Sequence, residues 1–132
     1  MFYDMKGVLV LSMLFLISSA GQGAEWEPGT EVTWSALGEN TPLKVFVPED
    51  YVDERAWPLI YTFHGTGGRA STGMMQRYTK GRGFILIGAP YAVPGAGSLS
   101  RQGVMGEIRR IAKVRALLGQ SLRLDETTYV GG

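Results

Sequence analysis

Residues 84–87 (Phe-Ile-Leu-Ile) restrict the possible folds more than any other part of the sequence, because all four are apolar. A strand with one face in water alternates apolar with polar residues, whereas a strand covered on both faces is apolar throughout, as central strands of parallel sheets are. Parallel neighbours need long crossover connections, which are usually helices. The run therefore predicts the central strand of a sheet that lies between two layers of helix.

The flanking sequence supplies the other elements of such a fold. Runs of β-branched, aromatic and apolar residues predict strands over 31–37, 43–47, 59–63, 84–87 and 125–130. The short turn at 38–40 predicts that the first two strands are antiparallel. Strands and helices then alternate, which predicts an α/β fold with a mostly parallel sheet and helices on both faces.

Two helices are expected in this alternation. The first covers residues 71–80, where Ser71 and Thr72 are capping-type residues at the start and Gly81 and Gly83 end the helix. The second covers residues 104–118, where apolar residues recur at helical spacing and Gly119 follows. The apolar stripe of this second helix is predicted at positions 104, 108, 111, 112 and 118.

The first 23 residues have the pattern of a secretory signal peptide. Lys6 precedes an apolar run over 7–17, and small residues then offer a cleavage site after Ala20 or Gly23. The run is short for a membrane span, which needs about 20 residues. We therefore expect export to the periplasm or the outside of the cell, no membrane association after cleavage, and one domain over residues 24–132.

Composition excludes several classes of site and partner. The chain has no cysteine and one histidine, so neither a disulfide framework nor a zinc site of the usual kind is expected, and we expect no cofactor. The formal net charge of +1 does not favour a nucleic-acid partner. Charge is unevenly distributed, with eight acidic against two basic residues over 25–55 and ten basic against one acidic residue over 69–123. This asymmetry indicates either a site for anionic substrates or, as charge runs usually do, solvated faces.

The glycine-rich residues 64–68 (His-Gly-Thr-Gly-Gly) come directly after a predicted strand. Glycines let a backbone turn sharply and bring its N–H groups close to a ligand atom, as an oxyanion hole requires. With its strand, this segment resembles the HGxGG segment of α/β hydrolases, most closely secreted esterases of the polyhydroxyalkanoate-depolymerase and feruloyl-esterase type. The resemblance implies that Thr66 N–H stabilises the oxyanion, with Gly65 and Gly67 setting the turn.

Residues 124–132, which end in Gly131 and Gly132, are similar to the strand that leads into the nucleophile elbow of the same family. In the G-x-S-x-G motif the serine follows the first glycine by two positions. If Gly132 is that glycine, the serine and the other triad residues lie after residue 132. The sequence therefore predicts the N-terminal half of an α/β-hydrolase fold, truncated before the elbow and inactive by itself. His64 precedes the elbow, which is the wrong order for the general base, so we expect it to brace the loop.

The resemblance implies a small-molecule or polymeric ester as the substrate, and it leaves the oligomeric state open. Tyr91 follows a predicted parallel strand, where it could line the substrate cleft. Met74 and Met75 could face an acyl pocket, although helix packing is the simpler interpretation.

Two other functions fit parts of the sequence. Residues 65–70 also satisfy the pattern G-x-G-x-x-G/A of dinucleotide-binding folds, but the next strand is followed by Gly88, Ala89 and Pro90 where an acidic residue should hold the ribose. An exported, non-catalytic α/β binding module is the other alternative. The residues encoded after Gly132 distinguish this module from a hydrolase.

Overall fold

The computed structural model of the protein describes residues 26–38, 40–64, 68–90 and 101–132, so the predicted signal peptide lies outside the described residues. The predicted order of elements is confirmed, with ends that differ by up to three residues. The strands are β1 (Glu31–Trp34), β2 (Leu43–Phe46), β3 (Trp57–Phe63), β4 (Ile85–Ala89) and β5 (Leu124–Gly131), and the helices are α1 (Gly73–Thr79) and α2 (Arg101–Leu118).

The strands form one mixed sheet in the order β1-β2-β4-β3-β5. The predicted antiparallel pairing of β1 with β2 is confirmed, and β2 also pairs antiparallel with β4. The parallel part consists of β4, β3 and β5, with β3 in the middle. This arrangement confirms the predicted α/β class, in which a hairpin extends a parallel sheet on one side.

β4 has the environment that its apolar sequence predicts, since all five of its residues are buried. Ile85 and Ile87 share one core cluster with Val114 and Leu118 of α2. Gly88 is on the opposite face of the sheet, because successive side chains of a strand alternate, and there it lies against the backbone of Ser71, just before α1. Both faces of this central strand are therefore covered by other parts of the chain.

β3 begins two residues earlier than predicted because Trp57 is part of the core. Its side chain is fully buried, its indole N–H donates to the carbonyl of Val52 at 2.9 Å, and its backbone N–H donates to the carbonyl of Arg123, also at 2.9 Å. Pro58, which lacks a backbone N–H, is tolerated inside the strand because the pairing of β3 with β5 is irregular between Trp57 and Leu59.

The predicted apolar stripe of α2 is only partly correct. Val114 and Leu118 are the buried residues of this helix and Ile111 is half-buried, whereas Val104 and Ile108 are 44% and 52% exposed. Positions 111, 114 and 118 are three and four residues apart, so they lie on one helix face. Val104 is seven residues from Ile111 and shares this face, so burial differs along the helix: the C-terminal half packs on the core, and positions 104 and 108 do not.

The ends of α1 differ from the prediction in their chemistry. Thr72 is the N-cap residue, but its side chain makes no capping hydrogen bond. Ser71 Oγ instead accepts the N–H of Gly73 at 3.1 Å. Lys80 is the C-cap residue, directly after the last helical residue, and its backbone is left-handed with φ of 55°. Gly81 follows with φ of 68°. Within the described part of the chain, no helix is long and apolar enough to cross a membrane.

β5 is an edge strand that carries exposed apolar side chains. Tyr129 and Val130 are 55% and 56% exposed, and they point to opposite faces of the sheet. The Tyr129 ring contacts the ring of Phe84 edge to face, with 6.1 Å between centroids. Apolar surface is therefore open to solvent along this edge.

Candidate active site

The carboxyl ends of β3, β4 and β5 form one edge of the sheet because these strands are parallel. Thr62, next to last in β3, pairs with Gly88 of β4 on one side and with Gly131 of β5 on the other. Its hydroxyl donates to the carbonyl of Ile87 at 3.0 Å and so ties β3 to β4. Ligands of open α/β sheets bind outside such an edge, which makes it the candidate site.

Gly132 brings the end of β5 into contact with β3. A Cβ atom on this residue would lie 2.9 Å from Cβ of Phe63 and 3.3 Å from its carbonyl oxygen. Only glycine fits there without displacing Phe63, the residue that precedes His64. Gly132 therefore lies against the strand end that directly precedes residues 64–68.

Gly88 allows the chain that follows the glycine-rich segment to pass directly over β4. A Cβ atom at this position would lie 2.4 Å from the carbonyl oxygen of Ser71 and 2.7 Å from its backbone nitrogen. A glycine inside a strand often marks such a close approach of another backbone. Ser71 is thus held against the centre of the sheet.

The carboxylate of Glu31, at the start of β1, fixes the next residue. It accepts the backbone N–H of Thr72 at 3.2 Å, the hydroxyl of Thr72, and the side-chain amide of Gln76 at 3.4 Å. Gln76 also donates to the Thr72 hydroxyl at 2.7 Å. Thr72 is only 1% exposed, so Glu31 satisfies polar groups that are shielded from water.

A second polar group lies on the face of the sheet that α2 covers. Arg110 of α2 is 3.9 Å from the carboxylate of Glu107 and donates a hydrogen bond to the carbonyl of Pro90, directly after β4. Tyr61 of β3 is fully buried nearby, and burial raises the pKa of its hydroxyl to about 12. The nearby Arg110 charge acts in the opposite direction and is the smaller effect. This group ties α2 to the chain that leaves the edge after β4.

A cavity of about 450 Å³ opens beside the end of β3. His64, Met74 and Met75 line it, and Met74 is 51% exposed. Both methionines line this cavity, as one of the two interpretations of the sequence expects; Met75 is half-buried, and no residue of α1 is fully buried. The other predicted site residues, Gly65, Thr66, Gly67 and Tyr91, lie outside the described residues.

No sequence pattern predicts that Glu31, Gly88 or Arg110 belongs to the candidate site, and the same is true of the cavity arginines, Arg69 and Arg77. Gly88 could have been found only with the strand extended to Ala89, because a glycine within an apolar strand indicates a bulge or a close backbone approach. Glu31 could not, since its partner Thr72 is 41 positions away. Among the described residues, no group of three or more histidine, cysteine or acidic side chains could hold a metal ion.

No protein-family model matches the sequence, and no curated protein matches it. Among solved structures, the fold is similar to a thermostable esterase, with 21% identity and a TM-score of 0.46 over 77% of this chain and 33% of that one. It is also similar to a CE1 ferulic acid esterase from the anaerobic fungus Anaeromyces mucronatus, with 15% identity and a TM-score of 0.47 over 83% of this chain and 51% of that one. The chain thus spans about a third and about half of the length of these two esterases.

Proposed function

We propose that this chain is the N-terminal part of an exported serine hydrolase that acts on carboxylic esters. The observation that carries the proposal is the register at the sheet edge, where Thr62 of β3 pairs with Gly131 of β5. This register puts the start of residues 64–68 beside the end of the strand that would lead into the nucleophile elbow.

The order of elements supports the same function. In α/β hydrolases one oxyanion donor is a backbone N–H of the loop between the third strand and the first helix, and the other follows the nucleophile. Here the glycine-rich segment connects β3, the third strand, with α1, the first helix. Thr66 lies in the middle of that connection, and its N–H is the proposed donor.

In the proposed reaction, a serine two positions after Gly132 attacks the ester carbonyl while a histidine removes its proton and a carboxylate orients that histidine. The alcohol leaves with the proton, and an acyl-enzyme forms. Water then hydrolyses the acyl-enzyme and releases the acid. Residues 24–132 supply one side of the oxyanion hole, and we expect them to be inactive without the rest of the enzyme.

The product of the complete gene tests this proposal. We expect the codons after Gly132 to encode x-Ser-x-Gly, and we expect a fluorophosphonate probe to label the full-length protein at that serine. Alanine or glycine at the serine position, or a full-length product that the probe does not label, would show a non-catalytic module instead.

Substitutions at Thr66 test the oxyanion donor. Thr66→Ala keeps the backbone N–H, so esterase activity of the full-length protein should change little. Thr66→Pro removes it and should lower kcat by about 10² to 10³, the usual effect of losing one oxyanion donor. Equal activity of the two variants, measured with a chromogenic ester, would refute the assignment.

A further inference from the structure

The ten basic residues over 69–123 have different surroundings in the structure. Four of them have partners within the fold: Arg82 is 3.7 Å from Glu49, Arg110 is 3.9 Å from Glu107, Arg115 donates to the carbonyl of Asp125 at 2.6 Å, and Arg123 donates to the carbonyl of Asp53 at 3.3 Å. Partners elsewhere in the fold therefore explain part of the charge asymmetry.

Arg69 and Arg77 differ from those four because both line the 450 Å³ cavity beside the end of β3. Neither guanidinium has a hydrogen bond or an ion pair with any residue that the structure describes, and the described lining of the cavity contains no acidic residue. Both arginines are exposed, and two positive charges on the lining of one cavity make its potential positive, which attracts an anion.

The rest of the lining suits a small organic acid. Ser71 adds a hydroxyl, whose oxygen accepts the N–H of Gly73, so its own proton can be donated to a ligand. Met74 and Met75 add flexible apolar surface, which can follow an aliphatic chain. The planar guanidinium forks match a carboxylate with two parallel hydrogen bonds.

We propose that this cavity is a binding site for a carboxylate group, with Arg69 and Arg77 as its recognition residues. The cavity opens beside the end of β3, so a ligand there lies next to His64, the residue that precedes Gly65 and Thr66 in the sequence. In the full-length enzyme the preferred substrates are then esters that carry a second, ionised carboxyl group. That last statement depends on the proposed hydrolase function, whereas carboxylate binding itself does not.

Binding to the chain can be measured without catalysis by following amide chemical shifts of residues 69–77 during ligand titrations. The probes are monomethyl succinate, which carries one carboxylate, and dimethyl succinate, its uncharged counterpart. We expect the monoanion to bind about ninefold to 25-fold more tightly at low ionic strength, because two exposed charge pairs of about threefold to fivefold each multiply. The preference should shrink near 1 M salt, where the Debye length falls to about 3 Å.

Matched variants assign the effect to the two arginines. Arg69→Gln and Arg77→Gln should each weaken monomethyl succinate binding about threefold to fivefold, as loss of one exposed charge pair does, and the double variant should lose the preference. Lys113→Gln is the control, because it removes the same charge from an exposed position of α2. A preference that survives in the double variant, or that Lys113→Gln reduces equally, would overturn the proposal.

A third probe tests the chemical class of the anion. Dimethyl phosphate has the same single charge as monomethyl succinate but a tetrahedral oxyanion. Weaker binding of dimethyl phosphate supports a carboxylate site, and tighter binding overturns that assignment. Failure of the fluorophosphonate probe to label the full-length protein would reject the hydrolase and leave these binding results unchanged, so the two proposals fail separately.

Discussion

Gly88 offers the sharpest test of how the chain is held over the sheet, because the prediction follows from one contact. In Gly88→Ala the added Cβ would lie 2.4 Å, 2.5 Å and 2.7 Å from the carbonyl oxygen, the carbonyl carbon and the nitrogen of Ser71. All three are backbone atoms, so no side-chain rotation relieves the overlap. Gly88 also pairs with Lys44 and Thr62 on its two sides, which prevents β4 from moving away.

The expected cost of Gly88→Ala lies at the upper end of the range for overpacking, about 3 kcal/mol. Chemical denaturation followed by far-UV circular dichroism measures it. With a urea m-value of about 2 kcal/mol/M, the midpoint should fall by about 1.5 M. Amide exchange separates two ways of relieving the strain: selective loss of protection in α1 means that Ser71 has moved, and general loss means that β4 has been distorted.

Gly106→Ala is the matched control, since it makes the same chemical change inside α2. A Cβ at Gly106 meets no atom within 4 Å, and alanine favours a helix over glycine by about 1 kcal/mol. The control should therefore raise the midpoint. A Gly88→Ala midpoint within about 0.25 M of the unsubstituted chain, a difference of about 0.5 kcal/mol, would refute the close approach of Ser71.

Two further substitutions test the polar groups around the edge. Glu31→Ala leaves the N–H and hydroxyl of Thr72 without their acceptor. It should lower the free energy of unfolding by about 1 to 3 kcal/mol in urea melts, and Glu31→Gln should lower it by less. Equal losses in the two variants would contradict the role of the carboxylate. Tyr61 keeps its proton up to its raised pKa of about 12, whereas the unfolded chain loses it near the ordinary value of 10.0. The stability that this proton contributes is therefore complete below pH 10 and is lost as the pH rises from 10 towards 12. The Tyr61 hydroxyl is buried without a hydrogen-bond partner among the described residues. Tyr61→Phe should therefore lower the free energy of unfolding by less than about 1 kcal/mol at pH 7. Above pH 10 the stability of this variant should fall less than that of the unsubstituted protein. Parallel alkaline stability curves for the two proteins would contradict the buried hydroxyl.

Patterns that depend on neighbouring residues could be predicted from the sequence. The apolar run before Gly88 predicts a buried central strand, and all of β4 is buried. The short turn after β1 predicts the antiparallel hairpin, and the register confirms it. These predictions succeed because strand burial and hairpin pairing are set by residue spacing within a few positions.

Features that depend on which distant segments meet could not be predicted. The apolar stripe of α2 extends along the helix, and only packing against the sheet decides that Val114 and Leu118 are buried while Val104 and Ile108 are exposed. Thr72 has the composition of a helix cap, yet a carboxylate from β1 binds its hydroxyl instead. In both cases neighbouring residues do not determine which contact forms, and tertiary packing decides it.

The contacts around the edge have a common consequence for residues on either side of the glycine-rich segment. Phe63, before it, belongs to β3 and touches Gly132, while Ser71 and Thr72, after it, are held by Gly88 and Glu31. Three of the five residues over 64–68 are glycines, which have no side chains to anchor a segment, so fixed residues on either side restrict where the segment can run. An oxyanion donor is effective only when it is positioned before the reaction starts, because then no energy is spent on reorganisation. Gly88 and Glu31 are outside the proposed oxyanion loop, and by fixing Ser71 and Thr72 they would help to position the backbone N–H proposed to stabilise the transition state.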